Sequence, residues 1–191
     1  MAENTENLRI LVVDDEKDIV KAYGDILMPA PVGTVKKSSR AAPTAGVGIE
    51  APYEILKAYS GEEAVSIIKA QLAAGTPVAG AFFDVKMDGA LDGIQAAKAA
   101  FGLDPRLQVT IVTAYQDRSV QDIDALFGPA VKDQWDYLNK PFNSGEIVQK
   151  ARHMTAAWNR REELKRTQAL LVQRERLAAI GQVARGGGHE F

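Results

Sequence analysis

The sequence has no cysteine and only two histidines, His153 and His189, among its 191 residues. The lack of cysteine excludes disulfide scaffolds, thiol catalysis and zinc sites built from thiolates, and two histidines are too few for a histidine-rich metal site. No apolar run approaches the ~18 residues that a membrane-spanning helix needs, and residues 1–10 lack the apolar segment of a signal peptide. With 46% hydrophobic and 25% charged residues, we expect a globular protein of the cytoplasm without a membrane span.

Charge is distributed unevenly along the chain. Residues 1–143 contain 14 basic and 20 acidic residues, whereas residues 144–191 contain 9 basic and 5 acidic residues. This asymmetry indicates two physically different units. A basic tail can bind nucleic acid or an anionic membrane, but Glu162, Glu163 and Glu175 interrupt the basic residues. We therefore favour a solvated helix face and expect no nucleic-acid partner.

Short apolar segments alternate with helical patterns through the first unit. Strands are predicted at 8–13, 53–58, 78–84, 107–113 and 135–138, and helices at 17–27, 60–73, 93–101 and 119–127. This alternation is typical of a parallel sheet covered on both faces. Right-handed crossovers then predict a flavodoxin-like, doubly wound α/β fold with strand order 2-1-3-4-5. Residues 28–52 hold four of the eight prolines, and we interpret them as an insert tolerated at the surface.

The sequence after residue 143 predicts one long helix. Asn143 and Glu146 form a capping-box pattern, and no helix-breaking residue follows before Gly181. Some forty helical residues span roughly 60 Å, which is too long for the whole apolar stripe to be buried on a domain of this size. We therefore expect a coiled coil with a second copy of the chain. The stripe consists of Ile147, Ala151, Met154, Trp158, Leu170, Leu177, Ile180 and Ala184.

Polar side chains end four of the predicted strands. Asp14 and Asp15 end the first, Asp84 the third, Thr113 the fourth and Lys140 the fifth. Ligands of doubly wound sheets bind at the carboxyl ends of the strands, so we expect these side chains to converge. Three carboxylates without histidine or cysteine favour Mg²⁺. Lys140 would complement a phosphoryl group, to which Thr113 could donate a hydrogen bond, and Asp84 is the natural nucleophile for an aspartyl phosphate. Taken alone, Asp14 is better explained as a helix cap.

Four motifs stand within residues 5–143: LVVDDE (Leu11–Glu16), FFDVKMDGALDG (Phe82–Gly93), VTA (Val112–Ala114) and DYLNKPF (Asp136–Phe142). Together they resemble the receiver domain of response regulators in two-component signalling. The resemblance implies that Asp84 is the phosphoacceptor. It also implies that Mg²⁺ is bound by Asp15, by Asp84 and by the backbone carbonyl of Lys86, with Asp14 binding directly or through water.

The resemblance further implies a conformational switch. Thr113 and Lys140 would bind the phosphoryl group, and the Lys140–Pro141 peptide bond would be cis. Movement of Thr113 would open space into which the ring of Tyr137 swings, which shifts the face formed by the fourth helix and the fifth strand. The alternative for Tyr137 is a half-buried aromatic on an edge strand.

Three positions near the site bear on the rate of the reaction. Lys86 and Tyr115 occupy positions that tune dephosphorylation in the family, although Tyr115 is equally well explained as a surface aromatic. Asp88 departs from the family, which usually has proline there. Its carboxylate would alter metal affinity or phosphate access.

Residues 175–191 (ERLAAIGQVARGGGHEF) resemble the H-box that opens the dimerisation domain of histidine kinases. The resemblance implies that His189 is a second phosphoacceptor and that Glu190 orients or deprotonates its imidazole. GGHEF also partly resembles the signature of diguanylate cyclases, but that signature lies on a hairpin, whereas a helix leads into it here. An inert terminal histidine is a further alternative. We expect His153 to be a surface residue.

These observations predict a receiver domain (1–143), a signalling coiled-coil helix (144–174) and the start of a kinase dimerisation region (175–191). The chain would be part of a receiver-containing histidine kinase. It lacks an ATP-binding domain, so it would catalyse only its own phosphorylation and dephosphorylation. Its partners would be an upstream histidine kinase or phosphotransfer protein and a second copy of the chain. The alternatives are a stand-alone adaptor that dimerises through its helix and, less favoured, a transcriptional regulator.

Overall fold

The computed structural model describes residues 6–28, 53–114 and 119–186, with side chains up to residue 180. Five strands form one parallel sheet in the order β2-β1-β3-β4-β5, which confirms the predicted topology. The strands are β1 (Arg9–Val13), β2 (Glu54–Ala58), β3 (Gly80–Asp84), β4 (Gln108–Ala114) and β5 (Trp135–Lys140).

Helices connect the strands at the predicted places. They are α1 (Lys17–Leu27), α2 (Gly61–Ala73), α3 (Gly93–Leu103), α4 (Val120–Phe127) and α5 (Ser144–Gly186). Most bounds agree with the prediction within two residues, and three differences are of note. A 3-10 helix (Pro129–Gln134) precedes β5, β5 continues to Lys140, and α5 passes through Gly181.

Side-chain caps define where several helices begin. The Ser60 hydroxyl accepts a hydrogen bond from the Glu63 amide at the start of α2. At the start of α5, Glu146 and Asn143 each bind the other's backbone N–H, at 2.8 and 3.0 Å. These contacts pair the otherwise free N–H groups of the first helical turn. The capping box predicted at Asn143 and Glu146 is therefore present.

The sheet is buried on both faces, with a separate apolar cluster on each. One cluster joins the sheet to α1 and α5 and includes Phe82, whose ring centroid lies 5.0 Å from that of Tyr23. The other joins the sheet to α2, α3 and α4 and includes Phe83 and Ile111. Because neighbouring strand residues point to opposite faces, β3 is buried along its whole length. Burial of each large apolar side chain stabilises the fold by about 1.5–3 kcal/mol.

Two compact units divide the chain, Met1–Trp158 and Asn159–Phe191. In the first unit, α5 buries Ile147, Ala151 and Met154, so the first turns of this helix belong to the sheet domain. In the second unit, the described large apolar side chains are exposed, including Leu177 at 62%. The predicted functional division at residue 143 stays a prediction. None of the described helices is both long and apolar enough for a bilayer span.

Gly93 provides a test of the close contact between α3 and the candidate site. A Cβ atom at Gly93 would lie 1.7 Å from the Asp84 carbonyl oxygen, whereas a Cβ at Gly102, in the same helix, would meet nothing within 4 Å. We expect Gly93→Ala to lower the free energy of unfolding by at least about 2 kcal/mol, because backbone must move. Gly102→Ala should raise it by about 0.5 kcal/mol. Urea unfolding measures both, and equal effects would contradict the contact.

Candidate functional site

Three carboxylates meet at the carboxyl ends of β1 and β3. One oxygen from each of Asp14, Asp15 and Asp84 lies within 4.8 Å of the other two. Asp14 and Asp84 are buried and Asp15 is half-buried. Because β1 and β3 are paired in parallel, their carboxyl ends lie side by side. The fold therefore brings together the three acidic residues that the sequence analysis selected.

Hydrogen bonds fix two of these carboxylates. Asp14 Oδ1 accepts from the backbone N–H of Glu16 at 2.9 Å, and Asp15 Oδ2 accepts from the N–H of Asp88 at 3.1 Å. The residue that precedes α1 as its cap is Glu16. Asp14 therefore makes a turn ahead of the helix, and the reading of Asp14 as a helix cap is wrong.

Lys140 supplies positive charge to the cluster. Its Nζ lies 2.7 Å from Asp84 Oδ1 and 3.4 Å from Asp14 Oδ2. Lys140 ends β5, which is separated from β3 by β4, so its long side chain spans the end of the intervening strand. The peptide bond that follows, Lys140–Pro141, is cis, as the sequence analysis expected.

The electrostatics of the cluster favour an additional cation. Burial raises the pKa of Asp84; the hydrogen bond and charge of Lys140 oppose this rise, and the charges of Asp14 and Asp15 add to it. Burial alone would lower the pKa of Lys140, but its hydrogen bond and attraction to Asp84 outweigh that effect and the pKa is raised. One ammonium therefore does not offset the cost of placing three carboxylates together.

The donor set fits Mg²⁺. All three side chains offer hard carboxylate oxygens, which this ion prefers, and Mg²⁺ commonly binds through a few carboxylates while it keeps several waters. A divalent cation would also oppose the effects that raise the pKa of Asp84, which are burial first and then the charges of Asp14 and Asp15. Lys86 is exposed shortly after β3, and the part of its backbone carbonyl in metal binding stays a prediction.

Thr113 and Tyr137 line one pocket of about 200 Å³ beside α4. Thr113 is buried, and its hydroxyl donates to the Ala114 carbonyl at 2.9 Å. Tyr137 is 42% exposed, and both its switch role and the half-buried alternative stay predictions. The two residues that the resemblance joined in a switch are therefore neighbours at the α4–β5 side of the site.

Two residues near the site were missed by the sequence analysis. Glu62 Oε1 accepts from the backbone N–H groups of Ala90 and Leu91, in the loop between β3 and α3. Tyr23 places a buried hydroxyl, with no hydrogen-bond partner among the described residues, in the core on the α1 side. Its burial, together with the charges of Asp14 and Asp84, raises its pKa. In the sequence, Glu62 resembles any acidic residue in a first helical turn and Tyr23 any core aromatic.

Several predicted residues lie outside the described part of the chain. They are Tyr115, His189, Glu190 and all of the insert 28–52 except its first residue, Met28. Their predicted roles stay predictions. His153 is exposed on α5, as expected.

Several solved structures share this fold. A response regulator receiver protein from Sinorhizobium medicae is 19% identical, with a TM-score of 0.56, and the match covers 80% of this chain and 98% of that one. An adenylate cyclase structure from Rhodopirellula baltica is 20% identical, with a TM-score of 0.59, and the match covers 87% of this chain and 98% of that one. A chain of the CheX-CheY-BeF3-Mg+2 complex from Borrelia burgdorferi is 19% identical, with a TM-score of 0.52. That match covers 75% of this chain and 85% of the other. At sequence identities this low, the matches show that the fold is shared and nothing more. No family model matches the sequence, and no curated protein matches it significantly.

The raised pKa of Asp84 predicts a pH dependence of stability. The folded state holds this proton more tightly than the unfolded state, whose carboxyl has the ordinary value of 3.8. The resulting stabilisation is present below that pH and is lost as the pH rises through the raised pKa. Asp84→Asn removes it. In metal-free buffer, the free energy of unfolding of the wild type minus that of Asp84→Asn should fall as the pH rises from about 4 to about 7.

Urea unfolding at several pH values measures this difference. Added Mg²⁺ should make the fall smaller, because a bound cation stabilises the ionised carboxylate. A difference that grows with pH in metal-free buffer would show that the Asp84 carboxylate is not disfavoured by its surroundings.

Proposed function

We propose that this chain is a phosphorelay receiver in which Asp84 accepts a phosphoryl group in the presence of Mg²⁺. The observation that carries the proposal is the position of Asp84, with two further carboxylates within 4.8 Å and the Lys140 ammonium 2.7 Å from its Oδ1. A nucleophilic carboxylate, a place for a divalent cation and a fixed ammonium are the parts that phosphoryl transfer requires. Such a receiver would work in the cytoplasm.

The proposed reaction transfers a phosphoryl group from a phosphohistidine or an acyl phosphate. An Asp84 oxygen attacks the phosphorus and forms a P–O bond, while the bond from phosphorus to the donor nitrogen or oxygen breaks and the donor takes the electron pair. A phosphohistidine donor leaves as imidazole after taking a proton from solvent. Asp14, Asp15 and Asp84 would hold Mg²⁺, whose chemistry is to neutralise charge on the phosphoryl oxygens. Lys140 would exchange its bond to Asp84 for one to a phosphoryl oxygen.

The switch that we propose uses the pocket of about 200 Å³ shared by Thr113 and Tyr137. The Thr113 hydroxyl would leave the Ala114 carbonyl and donate to a phosphoryl oxygen. Tyr137, which is exposed, would then fill the space next to Thr113. The surface of α4 and β5 would differ between the two states, so a partner that binds one state better would shift their populations.

Beryllofluoride gives a direct test of the phosphoacceptor. We expect the full chain to bind beryllofluoride only with Mg²⁺, and to be labelled by acetyl phosphate at Asp84. Asp84→Asn should abolish both, because the amide is a poor nucleophile and lacks the charge that binds the metal. Fluorine NMR and phosphate-sensitive gels measure the two signals.

Asp25→Asn is the matched control, because it makes the same chemical change at an exposed carboxyl on α1, outside the acidic cluster. It should retain labelling. Labelling that persists in Asp84→Asn would show that another residue is the acceptor.

The second unit supports a further part of the proposal, dimerisation. Leu170, Leu177 and Ile180 are large apolar residues, each more than half exposed, with spacings of seven and three that place them on one side of a helix. We propose that this side pairs with the same side of a second copy, and that phosphorylation of Asp84 regulates a histidine kinase through the paired helices. His189 would be the kinase phosphoacceptor. A stand-alone adaptor, which dimerises without kinase activity, is the alternative.

The dimer predicts a molecular mass in solution of twice 20.7 kDa. Leu177→Glu should yield monomers, since it places a charge in the paired surface. Gln168→Glu, on the other side of the helix, should leave the dimer intact. Light scattering with and without beryllofluoride measures the mass. A wild type that is monomeric in both states would contradict signalling through paired helices.

A further inference from the structure

The loop between β3 and α3, residues 85–92, contacts the acidic cluster through its backbone. The N–H of Asp88 donates to Asp15 Oδ2 at 3.1 Å. Asp15 is only half-buried, so its carboxylate has more rotational freedom than a buried side chain. The position of the loop therefore influences where one of the three candidate metal ligands lies.

Glu62 holds this loop from α2. Its Oε1 accepts from the N–H of Ala90 at 2.8 Å and from the N–H of Leu91 at 3.1 Å. Hydrogen bonds to an ionised acceptor are stronger than neutral ones. Backbone N–H groups, first that of Glu62 itself and then those of Ala90 and Leu91, lower the pKa of this carboxyl. Glu62 is therefore ionised at neutral pH, when it binds the loop.

The loop also rests directly on the start of α2. A Cβ atom at Gly61 would lie 2.7 Å from the Leu91 carbonyl oxygen and 2.9 Å from the Leu91 Cβ. This close approach places the Leu91 backbone within reach of the residue that follows Gly61, which is Glu62.

We infer that Glu62 is a positioning residue for the metal site. It fixes the loop on α2, and the loop in turn holds the Asp15 carboxylate through the Asp88 N–H. The inference rests on the proposed function, because it takes Mg²⁺ to be the ligand of the acidic cluster. Residues that orient metal ligands through hydrogen bonds commonly change metal affinity when they are replaced.

Calorimetric titration of the full chain with MgCl₂ tests this role. We expect Glu62→Ala to weaken Mg²⁺ binding by about tenfold, at the low end for residues that orient ligands. Glu62→Gln should retain most of the affinity, because its amide oxygen can accept from the same two N–H groups. Recovery by glutamine separates hydrogen bonding from a general effect of negative charge.

Glu63→Ala is the matched control. Glu63 is the next residue of the same helical turn, but its carboxylate accepts from the N–H of Tyr59, which precedes α2, and not from the loop. The change should lower the melting temperature and leave Mg²⁺ affinity unchanged. If Glu62→Ala acted only by destabilising the start of α2, Glu62→Ala and Glu63→Ala would lower the Mg²⁺ affinity equally.

A second readout needs no metal. In Mg²⁺-free protein, the Asp88 amide proton should exchange with solvent faster in Glu62→Ala than in the wild type, because the loop that presents it is no longer held. Equal Mg²⁺ affinity in Glu62→Ala and wild type, or an equal loss in Glu63→Ala, would overturn the inference. A wild type that does not bind Mg²⁺ would instead overturn the proposed function, and this inference with it.

Discussion

The repulsion among three carboxylates is the constraint on which the arrangement of the site depends. Asp14 and Asp84 are buried where water cannot screen them well, and Lys140 is the ammonium that contacts both. A buried charge without a partner costs several kcal/mol, so the end of β5 must bring its lysine across β4. The raised pKa of Asp84 shows that this compensation is incomplete. An incompletely neutralised acidic site is suited to bind a divalent cation. In the proposed function, the bound cation then allows a phosphoryl group to approach the carboxylates.

The sheet and this site follow from the sequence because both depend on simple periodicity. Parallel strands alternate with helices, and the carboxyl ends of these strands lie at one edge of the sheet. The sequence alone therefore predicts that Asp14, Asp15, Asp84 and Lys140 lie close together. The predicted end of β5, residue 138, is two residues too early, because the polar residues Asn139 and Lys140 are not typical of a buried strand. Pairing with the last two residues of β4 keeps that pair in the sheet.

The contact of Glu62 and the extent of burial along α5 could not be predicted from the sequence, because backbone N–H groups or contacts between distant residues determine them. The bonds from Ala90 and Leu91 to Glu62 join positions 28 and 29 residues apart and use N–H groups that every such residue has. The partition of α5 at Trp158 is followed by a charged run, residues 160–166, but apolar residues occur at helical spacing on both sides of that run. Which of them are buried depends on the sheet, and in particular on Gly80, where a Cβ would lie 2.8 Å from Met154 Cβ.

The site lies close to the start of α5. Asn143, which caps this helix, comes three residues after Lys140. Between them, the ring of Phe142 lies 5.7 Å from Tyr23, which in turn lies 5.0 Å from Phe82 on β3. In the proposed mechanism, Lys140 changes partner from a carboxylate to a phosphoryl oxygen, and the contact of Phe142 with Tyr23 limits how the chain after Lys140 can adjust. Well-packed side chains transmit a displacement instead of absorbing it. Lys140 lies three residues before Asn143 and Tyr137 lies six, so of these two residues of the proposed mechanism Lys140 is the nearer in sequence to the start of α5.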